Sequence, residues 1–370
     1  MAKITWTVIN ETQFSLDITQ YVRSINFTLG RPSALSTYAG NTATITISNN
    51  SNQVTFAKVN DEITLKVTLG IFDYFVFIGT IISRNFQDEP GNGYNSTATL
   101  LLNDSLMQFG MANLVSQSLA STSDQITEIN DLLLIGLQSP YGTDVATSVG
   151  TFSVNAGQRL NEIIFGDRGI ITNNNGIKEY VPPSEFAIFF NPDTPTFGRT
   201  TSATQIAYQN FDRVEAPSNS LFFTQATVTG SASTETKNSS ALTNYGTRTF
   251  TATTAQSNKV SATAEWYANA FSDPNNEILN LTFTDIAQNE DALLDLVTNI
   301  LLITYFAEVS YTPPGGVSTT GYYWPEQITV NATPEQTSIS MLMTPLTYYA
   351  NFILDDTVLG VLDTDRLGVS

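Results

Sequence analysis

The reactive side chains of this sequence are carboxylates, lysines, tyrosines and hydroxyls, for it contains neither histidine nor cysteine. The missing thiol excludes disulfide frameworks, cysteine-ligated zinc, iron–sulfur clusters and thiol nucleophiles. The missing imidazole excludes histidine-ligated metals and every Ser-His-Asp arrangement. None of the six lysines (Lys3, Lys58, Lys66, Lys178, Lys237 and Lys259) stands in a Ser-x-x-Lys pattern. A Gly-x-Ser-x-Gly elbow and a phosphate-cradling Gly-x-x-x-x-Gly-Lys are also absent. Two carboxylates suffice for glycoside hydrolysis, and three clusters offer them: Asp88/Glu89, Glu290/Asp291/Asp295 and Asp355/Asp356/Asp363/Asp365. The first lies in a Pro/Gly turn, and the second opens a predicted helix, where the helix dipole favours acids. The third lacks the full Asp-x-Asn-x-Asn-Gly spacing of a calcium loop. The spacing therefore predicts solvated turn and cap residues, with no catalytic site, cofactor or metal. A carboxylate-dependent glycan depolymerase is the enzymatic alternative.

The chain has 370 residues, 34 acids against 15 bases, and a net charge of −19. Only 13% of it is charged while 41% is apolar, enough for a large core. The charge is uneven. Residues 85–158 carry seven acids and no base, and residues 260–370 carry fourteen acids against the single base Arg366. So acidic a surface does not neutralise phosphates, which argues against a grip on nucleic acid; it also keeps a protein soluble. The N-terminus shows no secretory signal, and the most apolar windows, 71–82 and 293–306, are interrupted by acids and too short to span a bilayer.

The elements that would position these residues are mostly strands. Thr42-Ala-Thr-Ile-Thr-Ile-Ser48 alternates small or apolar residues with hydroxyls, the period-two signature of a half-buried strand. Similar runs lie at 4–9, 22–29, 62–69, 74–83 and 94–102, separated by Asn/Gly/Pro clusters. Residues 1–108 read as an all-β domain with the strand density of a sandwich or barrel. Residues 109–205 read as a small α+β insert, with helices at 123–135 and 158–165 and a hairpin at 169–181. Residues 206–370 return to strands, at 221–229, 247–254, 277–284, 322–330, 338–343 and 348–354, with helices near 257–271 and 289–302. Residues 230–246, rich in Ser, Thr and Asn, read as a mobile loop.

The two ends carry motifs. Ile18-Thr-Gln-Tyr-Val-Arg-Ser-Ile-Asn-Phe-Thr-Leu-Gly-Arg31 precedes Tyr38-Ala-Gly-Asn-Thr-Ala-Thr-Ile-Thr-Ile-Ser-Asn49, and Phe352-Ile-Leu-Asp-Asp-Thr-Val-Leu-Gly-Val-Leu-Asp-Thr-Asp-Arg-Leu-Gly368 closes the chain. These resemble the opening and closing signatures of the siphophage minor tail, or tail-tip (baseplate) hub, proteins. The matching positions are Val22, Arg23, Gly30, Arg31, Tyr38, Gly40, Asp355, Asp356, Gly360, Leu362, Asp363 and Arg366. The resemblance implies a mainly β fold of phage baseplate-hub type, with two tail-tube-like β-barrel domains flanking a smaller domain. It implies a homotrimer forming a pseudo-sixfold ring at the distal end of the virion tail. Its expected neighbours are the distal tail protein, the tape-measure protein and tip or fibre proteins. DNA would cross the ring without specific binding, and the base-free run from Val260 to Asp365 is where an acidic lumen wall is expected. A hexameric distal tail protein or a host-surface binding module is the alternative from the binding class.

Overall fold

A computed structural model of the chain describes residues 5–30, 32–33, 41–50, 53–69, 72–87, 96–104, 117–119, 142–144, 152–154, 187–189, 206–208, 213–215, 221–230, 232–253, 260–273, 278–284, 307–312 and 319–345. The N-terminal part forms β1 (Thr5–Asn10), β2 (Leu16–Asp17), β3 (Val22–Gly30), β4 (Thr42–Ser48), β5 (Glu62–Leu69), β6 (Phe72–Gln87) and β7 (Thr97–Asn103). Each follows from its alternation. In β4 the inward Ala43, Ile45 and Ile47 are buried while the intervening Thr and Ser side chains stand on the other face. The same rule places Phe27 and Leu29 of β3, Leu65 of β5, Phe77 of β6 and Leu100 of β7 in one core. Burying a side chain of this size stabilises by about 1.5–3 kcal/mol.

Four short strands follow in two pairs, β8 (Gln117–Leu119) with β10 (Phe152–Val154) and β9 (Gly142–Asp144) with β11 (Ala187–Phe189). The helices and hairpin predicted between 123 and 181, the helix at 289–302 and the strand at 348–354 lie outside the described residues. The remaining strands are β12 (Ile206–Tyr208), β13 (Arg213–Glu215), β14 (Gln225–Thr229), β15 (Thr234–Asn238), β16 (Thr249–Thr253), β17 (Leu279–Thr284), β18 (Ala307–Tyr311), β19 (Thr319–Ala332) and β20 (Thr337–Pro345), with helices α1 (Leu242–Tyr245) and α2 (Val260–Ala270).

Thirteen strands make one sheet, ordered β13-β17-β20-β19-β3-β4-β7-β6-β5-β1-β2, with β18 also on β19 and β12 on β18. The first seven strands curl over their core, so that Trp6 of β1 meets the edge of Phe27 on β3, centroids 5.9 Å apart. They do not close into the expected barrel. Closure would require bonds between β1 and β3, but β1 pairs with β5 and β2. The second edge of β3 is taken instead by β19. Among the described strands no barrel closes.

A second sheet, β15-β14-β16, packs on α2. Ala226, Val228, Phe250 and Ala252 meet Ala264 and Tyr267 of the helix and Phe271 just after it, and Leu342 of β20 borders the same cluster. Residues 230–246 are not the predicted loop. They hold β15 and the helical turn α1. Hydrophobic periodicity missed β15 because Thr234-Glu-Thr-Lys-Asn238 alternates between two kinds of polar residue, and it is held by backbone pairing to β14.

Candidate functional site

The joint between the two halves of the large sheet is built from few residues. One edge of β19 serves β18 over residues 319–323 and β3 over residues 327–332. Between the two runs the strand carries a bulge at Glu326, where its register with β20 shifts. Gly30, the last residue of β3, arrives here with φ +91°, and a Cβ on it would lie 2.0 Å from the Glu326 carbonyl oxygen. Only glycine fits, since both the left-handed backbone and the close approach exclude a side chain. The Gly30 amide donates to Asn41 Oδ1 at 2.9 Å. Asn41 in turn donates to Asp104 Oδ2 from its amide at 2.9 Å and from Nδ2 at 2.7 Å. The Asp104 amide donates back to the Asn41 carbonyl at 3.1 Å. Asn41, Asp104 and Glu326 are all buried, so this network locks the end of β3 against the strands beside it. A second tie crosses between the halves: Trp6 Nε1 donates to Thr337 Oγ1 at 3.0 Å.

The joint makes one face continuous across the two halves. Thr282, Ser340, Thr329, Thr28 and Thr42 stand side by side on β17, β20, β19, β3 and β4. Thr284, Ser338, Asn331, Asn26 and Thr44 form the next row along the same strands. Their chain neighbours Phe283, Ile339, Val330, Phe27 and Ala43 point to the opposite face and are buried. Side chains bridge the joint itself: Asn26 Nδ2 donates to Asn331 Oδ1, and the Thr28 and Thr329 hydroxyls lie 3.2 Å apart. Ser340 Oγ donates to Asn280 Oδ1 at 2.9 Å. These two rows carry hydroxyls and amides and no charge. Within the described part of the base-free run, Glu265 and Asp273 belong to α2 and the turn after it, Glu308 to β18, Glu335 to the β19–β20 turn, and Glu326 is buried.

Of the residues singled out by motif, Val22 and Arg23 open β3 at a register shift opposite β4. Arg23 is exposed there, with Nη2 3.4 Å from Ser48 Oγ. Gly30 is at the joint. Arg31, Tyr38, Gly40, Asp355, Asp356, Gly360, Leu362, Asp363 and Arg366 lie outside the described residues, as do the carboxylate clusters at 88–89, 290–295 and 355–365. Among the described residues no three acids gather into a group that could hold a metal, and no helix is long and apolar enough to cross a membrane. Asn41 and Asp104 went unread in the sequence. Their signal is position: a short amide and a short carboxylate immediately flank β4 and β7, where strand ends leave backbone donors to satisfy.

No family model matches the sequence, and no curated protein does. Solved structures do match the fold. A tail protein from Neisseria meningitidis MC58 superposes with a TM-score of 0.63 at 10% identity, over 94% of this chain and 98% of that one. The 43 kDa tail protein of prophage MuSo2 from Shewanella oneidensis gives a TM-score of 0.62 at 10% identity, over 93% and 99%. A chain of a Francisella PdpA–VgrG complex gives 0.51 at 12% identity, over 93% of this chain and 53% of that one. The chain has the fold of phage tail proteins.

Proposed function

We propose that this protein is a structural, non-catalytic component of a siphophage tail tip: a hub whose copies form a ring around the path of the ejected DNA. The observation that carries the reading is the β3–β19 joint, which turns two β-rich halves into one sheet with neutral rows crossing from one half to the other. The tail-protein fold over nearly the full chain supports it. In this proposal residues 1–108 and 206–370 supply two tube-like units per copy and residues 109–205 an insert. Three copies make a pseudo-sixfold ring between the distal tail protein on one side and tip or fibre proteins on the other, with the tape-measure protein reaching its lumen. The joined face lines the channel.

Such a wall suits a passing polyanion. In the two rows that cross the joint it offers no lysine or arginine with which phosphates could pair and displace counterions, the main source of sequence-independent DNA affinity. Those rows also hold no carboxylate that would repel them at close range; toward β5 the first charge along the first row is Glu62, beyond Asn103 and Thr80. The net −19 then acts from other surfaces, as a long-range field and a solubility term. Because the chain has no cysteine of its own, a single introduced thiol reports its surroundings cleanly. In assembled tails, Cys at position 329 should react with a small maleimide and resist one carrying a long polymer, whereas Cys at position 236 should react with both. Equal reactivity of the two positions toward the bulky reagent would place the joined face outside any channel.

A further inference from the structure

Phe14 is fully exposed, at 100% of its accessible surface, and it holds a left-handed backbone with φ 59°, followed by Ser15 at φ 53°. A bulky residue in that region is an outlier that persists only where its surroundings over-determine it. Here they do. The turn between β1 and β2 is fixed by the Gln13 amide donating to Asn10 Oδ1 at 3.1 Å, Ser15 Oγ donating to Glu11 Oε2 at 2.6 Å, and the Glu62 amide donating to Thr12 Oγ1 at 2.9 Å. Buried Asp61 clamps this turn to the loop before β5. Its Oδ2 accepts from Asn10 Nδ2 at 2.7 Å and from the Lys58 amide at 2.8 Å, and Gln13 Nε2 reaches both of its oxygens at 3.4 Å. Asn10 Nδ2 also donates to the Phe56 carbonyl at 2.7 Å. The two clamped loops between them expose Phe14, Leu16, Phe56 and Val59, four of the six large apolar side chains exposed among the described residues.

A rigid aromatic that is both strained and wholly solvated has the character of a binding anchor, because little entropy remains to be lost on docking. Its border is acidic in balance: Glu11, Asp17 and Glu62 belong to it against Lys58 and Arg84, whose Nη1 donates to the Ala57 carbonyl at 2.9 Å. Both loops sit at the strand ends, on the row that runs from Glu62 through Thr80 and Asn103 to Thr42 and Thr28. The patch therefore lies at the rim of the joined sheet and faces along the channel proposed above. We infer that Phe14 is the anchor of a docking surface for a different polypeptide, one that presents an apolar pocket bordered by lysine or arginine. A second copy fits less well, because with 15 bases against 34 acids this chain is poor in the basic border required. The inference rests on the tail-ring reading.

The test replaces Phe14 by the photoreactive p-benzoylphenylalanine, which keeps the aromatic shape, in tails assembled in the host, with the same substitution at exposed Tyr245 as control. After irradiation the chain should cross-link through position 14, and not through 245, to another tail polypeptide at an apolar site flanked by basic residues. Phe14→Asp should fold with an unchanged melting profile, since nothing packs on the ring, yet lower the chain's retention in tails about tenfold or more. Cross-links to a second copy of this chain, to a site without basic neighbours, or to nothing overturn the anchor while leaving the ring intact. Tails that lack this chain altogether overturn the ring reading, and the anchor with it.

Discussion

Replacing Gly30 by alanine gives the strand joint its most exacting test. At φ +91° an alanine pays a left-handed penalty of about 1–2 kcal/mol. Its Cβ would also sit 2.0 Å from the Glu326 carbonyl oxygen and 3.1 Å from Gln327 Cα, both backbone atoms of β19 that cannot rotate away. Relief requires β3 to withdraw from the bulge, loosening the terminal pair with Gln327 and the Gly30–Asn41 bond, at about 1 kcal/mol for each hydrogen bond lost. The sum is about 3–4 kcal/mol. Gly246 is the internal control: at φ +70° and ψ −176° an alanine costs about 1–3 kcal/mol of backbone strain, and nothing lies within 4 Å of an added Cβ, so Gly246→Ala carries that conformational cost alone. Calorimetry on the two variants should show Gly30→Ala melting lower than wild type by about 6–16 °C, and Gly246→Ala by about 2–12 °C and by less than Gly30→Ala, at the 2–4 °C per kcal/mol of a large domain. If the two variants melt together, the contact between β3 and the β19 bulge does not hold the halves as described.

Three further outcomes follow from the same packing. The hydroxyl of Thr344 is buried without a hydrogen-bond partner, so the isosteric Thr344→Val should raise stability by about 1 kcal/mol in urea unfolding. Burial by itself would raise the Asp61 pKa, but hydrogen bonds from Lys58, Asn10 and Gln13 together hold it below the usual aspartate value. Its folded-state pKa being depressed, its contribution is present above the unfolded-state value and is lost as pH falls through the folded one. Wild type should therefore lose stability over that acidic interval relative to Asp61→Asn, as followed by fluorescence melts across pH. Asp104→Ala would leave the Asn41 amide and Nδ2 without their acceptor in a buried site, a cost of about 1–3 kcal/mol for each unsatisfied donor. Asn41→Ala in that background should then cost much less than it does alone, as a double-mutant cycle can show.

The strands were legible wherever one face is apolar and the other is not. The alternation in Thr42–Ser48 and Glu62–Leu69 gives both strands to the residue. Helix α2 was legible as well, although it begins at Val260, inside the predicted 257–271. The strand predicted at 74–83 runs on to Gln87, across a register shift between Ile81 and Ser83 that lets β6 change its facing without breaking. Pairing was not legible. Asn26 and Asn331 are 305 positions apart, and nothing in either strand announces its partner, because period two specifies which face is buried and not which strand lies beside it. For the same reason two barrels were expected where the described strands of both halves share one sheet that does not close. The motif reading found Gly30 and missed what makes it necessary, although Pro325, a residue that strands tolerate only at edges, starts or bulges, stands just before Glu326. The acidic composition pointed to an acidic lumen wall; the rows that span the joint are neutral, while nine of the fourteen acids of residues 260–370 lie outside the described residues. Net charge sums over a whole surface, and strand alternation decides which residues share a face.

A reconstruction of the intact tail by electron cryo-microscopy tests the central claim most directly. The account predicts three copies of this chain in a ring on the tail axis, with Thr28, Thr329 and Ser340 facing the channel and β3 paired to β19 within each copy. Copies placed away from the axis, or a ring that turns those residues outward, would contradict it.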